Sequence, residues 1–273
     1  MPAASSLSTV RTRSRRGGPA WLVVAQRELK DLWLAGRGLP LILAFTALLS
    51  VTTYLVASNQ ELNFLEQRES VTLTLQIAVA VGSLLVLIAA ADGISGERER
   101  GTLESLLLTP APRSSLTIGK GIAAFSLWAA AWTVSIPYLW YLGRGSKTVT
   151  EAVLTGLLVG SLLALFLAGY GLVVSGLVQS NRTSLSVGLF TLFALYAPTQ
   201  LPTGLQKSWV GSLLWRADPF TAGLRYLSDV VLRGHPPGRD AEWLIGPVVL
   251  AIAAPLAAVL LSHRIRLYSG DRP

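Results

Sequence analysis

Long apolar runs, broken by short clusters of charge, dominate the pattern of this chain. A helical crossing of a bilayer needs about twenty predominantly apolar residues. The sequence predicts six crossings, at Leu39–Ala57, Val71–Ala91, Ile118–Leu142, Val153–Val178, Leu185–Ala197 and Trp243–Leu261. The fifth is the shortest, with about thirteen clean residues before Pro198, so it either starts near Asn181 or continues past the proline. The fourth is long enough to tilt or to kink at its glycines.

Three segments between and before these runs are amphipathic instead. From Trp21 to Leu34 the charges Arg27, Glu28, Lys30 and Asp31 interleave with Leu22, Val23, Leu29, Leu32 and Trp33, a pattern suited to a helix lying along the inner membrane surface. Residues 1–20, rich in Ser, Arg, Pro and Ala, read as a disordered basic tail. Between the second and third crossings lies the run Gly96 to Arg113. Glu97, Arg98, Glu99 and Arg100 cannot sit in hydrocarbon, and Gly101 then frees the backbone to turn. Thr102 is placed to cap a short helix, Glu104 sets a negative charge in its first turn, and Leu103, Leu106 and Leu107 fall on one face. Pro110 ends that helix near Thr109. At roughly seven residues, or about 10 Å, it is too short to stand without a packing partner. The third segment follows the fifth crossing. Asp218 is a good N-cap, Pro219 suits the first helical position, and Phe220, Leu224, Leu227 and Val231 share a face before Gly234. A helix from Pro219 to Leu232 is about 21 Å long, short of the ~30 Å core, so it is expected to be a re-entrant or interfacial outer helix.

Composition agrees with an all-α integral membrane protein. Hydrophobic residues make up 51% of the 273 and charged residues only 14%, with a mean hydropathy of +0.52. The absence of cysteine excludes disulfide frameworks and thiolate chemistry. The net charge of +8 comes from arginines flanking the apolar runs, a membrane pattern and not a nucleic-acid one. Counting basic residues sets orientation. Arg11, Arg13, Arg15, Arg16, Arg27, Lys30 and Arg37 precede the first crossing, whereas the first loop holds Glu61, Glu66 and Glu69 against Arg68, so both termini and the Gly96–Arg113 run are expected in the cytoplasm. The loop from Leu201 to Asp240 then lies outside with five basic residues, balanced by Asp218, Asp229 and Asp240. Tyr138, Trp140 and Tyr141 mark the outer end of the third crossing.

Enzymatic constellations are missing from the pattern. His235 and His263 are isolated, there is no HExxH or G-x-S-x-G, and Gly119-Lys120 lacks the glycine-rich loop that would cradle a phosphate. Asp92 reads as a helix-end residue facing water. Apart from such edge groups no ionisable residue lies at mid-depth of a crossing, which argues against proton or sodium coupling. Gly156-x-x-x-Gly160 offers a close helix approach without establishing a dimer.

The order Glu97, Glu99, Gly101-Thr102-Leu103-Glu104, Leu106-Leu107, Pro110, Arg113 and Gly119-Lys120 resembles the signature of ATP-binding-cassette type-2 permeases. The motif covers about 25 residues and the six-span layout extends the resemblance over most of the chain. That resemblance implies a single permease domain over residues 21–266 with a short cytoplasmic tail at 267–273. The Trp21–Leu34 segment would be the elbow helix. The motif would be a cytoplasmic coupling helix seated in a separate ATP-hydrolysing subunit. Glu97, Glu99 and Glu104 would make polar contacts there, Leu103, Leu106 and Leu107 would seat the helix, and Arg113 and Lys120 would anchor inner headgroups. It also implies two ATPase copies, a second permease chain identical or homologous to this one, ATP and Mg bound only by the partner, and residence in the cell's inner (plasma) membrane among its lipids. The function expected is export of a drug, lipid or glycan. The other readings are a non-transporting membrane scaffold or assembly factor and, third, a secondary transporter.

Overall fold

The computed structural model describes residues 19–34, 36–58, 64–102, 112–200 and 215–264. The basic tail, the far C-terminus and residues 103–111, with Leu103, Glu104, Leu106, Leu107 and Pro110, therefore lie outside the described residues. All regular structure among the described residues is helical. In chain order the helices are α1 Ala20–Trp33, α2 Gly38–Ala57, α3 Phe64–Glu99, α4 Arg113–Leu142, α5 Thr148–Leu177, α6 Asn181–Tyr196, α7 Pro219–Leu227 and α8 Ile245–Leu261.

Five of the expected crossings are long and apolar enough to span a bilayer: Gly38–Ala57, Gln67–Glu99, Arg113–Leu142, Thr148–Leu177 and Ala241–Leu261. The fifth expected crossing is shorter. It begins at Asn181, as one of the two alternatives required, but after 16 residues it passes into a 3-10 turn at Ala197–Gln200. Its α-helical length is about 24 Å. Elsewhere the helices overrun the apolar runs, α3 reaching Glu99 and α4 starting at Arg113, because the charged turns at these ends find partners on neighbouring helices.

Helices α3, α4 and α5 pack on one another at the centre of the bundle. Trp128, 1% exposed, and Trp132 stack with ring centroids 5.3 Å apart. Facing them on α5 are the two spaced glycines. A Cβ on Gly160 would lie 2.0 Å from Trp128 and one on Gly156 would lie 2.3 Å from Trp132. The Gly-x-x-x-Gly pair thus admits two indoles of the same chain, a use of small residues that needs no second copy. The Trp128 indole N–H donates to Ser161 Oγ at 3.0 Å, which satisfies its polar edge. A second apolar cluster of Phe45, Leu49, Ala78, Leu85, Leu127 and Ala131 joins α2 to α3 and α4.

The helix predicted after Asp218 forms as expected. Asp218 Oδ1 accepts from the Phe220 amide at 3.2 Å and Oδ2 from the Thr221 amide at 2.9 Å, a side-chain N-cap followed by proline at the first position. α7 then continues through one π turn at Ser228–Leu232. Phe220, Ala222, Leu224 and Leu227 are buried, and Gly223 packs on Val159, near the middle of α5.

Helix α1 runs beside the first turns of α4 in the same direction. Val24 and Ala25 meet Gly119, Glu28 meets Lys120, and the Trp33 indole N–H donates to Ser126 Oγ at 3.0 Å. The amphipathic segment is thus docked on a neighbouring helix over about two turns.

Candidate functional site

The end of the bundle where Thr102 and Pro112 lie is held by charge. Successive residues on an α-helix point about 100° apart, so Glu97, Arg98 and Glu99 in the last turn of α3 face three different neighbours. Each side chain finds a partner suited to its sign.

Glu99 Oε1 accepts from the Asn181 amide at 2.8 Å and from Ser180 Oγ at 3.0 Å. A carboxylate therefore caps the positive N-terminus of α6. Arg98 donates to the carbonyl of Val178 and, at 3.4 Å, to that of Gly176, matching a cation to the C-terminal carbonyls of α5. Two adjacent residues of α3 so clamp both ends of the α5–α6 connection.

Glu97 turns the other way, toward α1 and α4. Its Oε1 accepts from Lys120 Nζ at 2.6 Å, and the same ammonium lies 3.1 Å from both carboxylate oxygens of Glu28. Lys120 is 6% exposed, and the Glu28 and Glu97 side chains are 15% and 16% exposed. The Lys120 ammonium thus has both its carboxylate partners within the fold, where the resemblance implied an anchor to inner headgroups. Gly119 brings α1 close, where a Cβ would lie 2.6 Å from Val24 Cγ1, and the lysine beside it must then find its counterion inside the fold. Glu97 likewise already has an internal partner, although its Oε2 is buried with no hydrogen-bond partner.

Asp92 also departs from its expected place. α3 continues for about two turns beyond it, and its side chain is only 15% exposed. It pairs with Arg37, the residue before α2, lies 3.6 Å from Arg100, and accepts from Asn181 Nδ2 at 2.7 Å. The absence of a side chain on Gly96, one turn later, leaves room for this carboxylate. Deeper in, Ser175 Oγ accepts from the amides of Ile94 and Ser95 at 3.0 and 2.9 Å, and Ser184 Oγ donates to the carbonyl of Ala91 at 2.8 Å. A cavity of about 470 Å³ opens among these groups, with charged walls and apolar patches from Leu41, Ile88 and Leu185.

At the mouth of the junction Gly101 takes φ 68°, a left-handed turn that closes α3 as its sequence position suggested. The Gly101 amide donates to the Arg98 carbonyl at 3.2 Å, and the Thr102 amide to that of Glu97 at 3.0 Å. The Thr102 hydroxyl also reaches the Glu97 carbonyl, at 3.3 Å. On the returning side Arg113 is exposed, and its Nη1 donates to the carbonyl of His263 at 3.1 Å. Among the described residues no group of three or more His, Asp or Glu side chains could hold a metal ion.

The structure thus brings Glu97, Glu99, Gly101, Thr102, Arg113 and Lys120 to one end of the bundle and adds Glu28, Arg37, Asp92, Arg98 and Asn181 to them. Sequence reasoning placed Glu28 in the amphipathic segment Trp21–Leu34 and used Arg37 only in the charge count that sets orientation. One signal was available: a lysine at the edge of the apolar run Ile118–Leu142 must either reach the headgroups or find a counterion inside the fold.

Comparison with known proteins bears on the family of the chain. The profile of a family described as ABC-2 family transporter protein matches residues 22–209. The chain is also similar to the probable ABC transporter permease protein NosY of Pseudomonas aeruginosa, with 30% identity over 271 residues that cover 92% of this chain and 94% of the relative.

Proposed function

The chain belongs to the ABC-2 family of transporter proteins, and from that premise we propose that it is the permease of an ATP-driven exporter in the inner (plasma) membrane. Membership implies an ABC ATPase as partner, and the multi-pass helical architecture makes this chain the transmembrane subunit. The energy of transport then comes from ATP and Mg held by the partner. The functional unit in this reading is two ATPase copies and two permease chains.

The observation that carries the reading is the construction of the α3 terminus. The motif loop leaves from a turn whose side chains engage α1, α4, α5 and α6 at once, so a force on the loop has stiff connections into most of the bundle. In this reading residues 101–110 contact the ATPase, with Thr102 opening the coupling helix, Leu103, Leu106 and Leu107 seating it and Glu104 on its polar side. Glu97 and Glu99 support it from behind, and Arg113 marks the inner headgroup level. A groove of about 240 Å³ lined by Ile122, Phe125, Leu165, Leu172, Pro255 and Val259 has the chemistry to receive an acyl or aromatic group, which supports a hydrophobic or amphipathic substrate.

Co-expression of the tagged chain with an ABC ATPase encoded beside it tests the reading. The expected result is co-purification and ATP turnover that Leu106→Asp or Glu104→Arg reduces at least several-fold. A chain that purifies alone, or turnover untouched by both changes, overturns it in favour of the scaffold.

A further inference from the structure

We propose that Glu28, Glu97 and Lys120 are positioning residues for coupling. They lock both stems of the motif loop to α1, so that a displacement of the loop moves α1, the end of α3 and the start of α4 as one body. The proposal rests on the reading of that loop as the ATPase contact.

The geometry is that of a loop base tied shut. The described residues break at Thr102 and resume at Pro112. Glu97 lies on the outgoing stem and Lys120 on the returning one, joined at 2.6 Å. Without this link the two stems could separate or shear when the loop is pushed. Glu28 then fastens the closed base to α1 through the same ammonium at 3.1 Å. Shape reinforces charge at this point, since a Cβ on Gly119 would lie 3.0 Å from the Ala25 backbone nitrogen of α1. Trp33 and Ser126 repeat the tie farther along.

Burial makes the lock stiff. A surface ion pair can break and re-form with water, but removing one partner of a buried pair strands the other in a low-dielectric environment. Sliding α1 along α4 by one helical turn, about 5.4 Å, would strand Glu28. The helices are therefore held to moving together. Because α1 leads through Arg37 directly into α2, and Arg37 pairs with Asp92 on α3, motion of the base also reaches α2. The triad contains two carboxylates and one ammonium, so Lys120 is the single cation on which both links depend.

The chain has no cysteine, so paired spin labels can be introduced without removing native residues. Labels on Val23→Cys of α1 and Val249→Cys of α8, both exposed positions, report the α1–α8 distance in the complex with its ATPase in nanodiscs. The expected result is a distance shift between the nucleotide-free and vanadate-trapped states. Glu28→Ala and Lys120→Met are expected to abolish the shift and broaden the distribution, whereas Lys120→Arg keeps it, as does the control Arg27→Ala on the exposed side of α1. Glu28→Ala leaves the Lys120–Glu97 pair intact and so serves if Lys120→Met does not assemble. A Glu28→Ala complex that binds ATPase and shifts like the unaltered chain overturns the lock and leaves the permease reading standing. The absence of any shift in the unaltered complex also overturns it. Failure of the unaltered chain to bind an ATPase removes the parent reading, and the lock with it.

Discussion

The two halves of α4 are held by opposite means. Near its middle, Trp128 and Trp132 fill hollows left by Gly156 and Gly160, and the fit is one of shape among apolar groups. At its start, Lys120 is held by two carboxylates from two other helices. Packing of the first kind resists compression but has no single partner whose loss leaves a charge stranded. The second kind hangs on one residue, since loss of the lysine strands both carboxylates in a low dielectric. A motion delivered at the motif loop would therefore be absorbed least where the charges are, and the tryptophan layer would act as the stiff surface against which that end turns.

Substitutions that break one half and spare the other sharpen this contrast. The largest effect is expected for Lys120→Met, which leaves Glu28 and Glu97 buried together. A cost of about 3–5 kcal/mol should appear as the steepest loss of thermal stability in detergent, with Lys120→Arg recovering most of it. Gly160→Ala comes next. Its methyl meets the Trp128 ring and requires the indole to move, at a cost of about 1–3 kcal/mol, and tryptophan fluorescence should shift with it.

Asp218→Ala removes a buried cap and should cost about 1 kcal/mol. Its pH dependence has a defined sign. Burial pushes the Asp218 carboxyl above its ordinary value of 3.8, against the opposing hydrogen bonds from Thr221 and Phe220. A folded-state value above the unfolded one gives a contribution that is present below pH 3.8 and lost as pH rises through the raised value. The stability of the unaltered chain relative to Asp218→Asn should therefore fall as pH rises through that window. Arg27→Ala is expected to do least. Its 3.7 Å pair with Asp31 is exposed on both sides and should contribute under about 0.5 kcal/mol, which a matched thermal scan would register as no change.

What was legible in the sequence depended on how far apart the interacting residues lie. The helix after Asp218 could be read because cap, proline and apolar spacing fall within one short segment, and the turn at Gly101 for the same reason. The close approach at Gly156 and Gly160 was legible too, but not the tryptophans that fill it, because small residues announce a space without naming its occupant. The charged junction was the least legible. Lys120 and Glu28 are 92 residues apart, and local composition reads such a lysine at the edge of an apolar run as a headgroup anchor. The start of α6 was open for a different reason, since the short apolar run before Pro198 allowed two solutions, and hydrogen bonds to α3 and α5 accompany the start at Asn181.

The central claim is that the loop behind which this junction is built is where the ATPase meets the chain. A single cysteine at position 106, placed in this otherwise cysteine-free chain and carrying a short photo-activated cross-linker, tests it most directly in the co-expressed complex. The account predicts a cross-link to the ATPase subunit from position 106 and none from a matched cysteine at Trp140, at the opposite end of α4. Cross-linking from Trp140 with none from position 106 would contradict it.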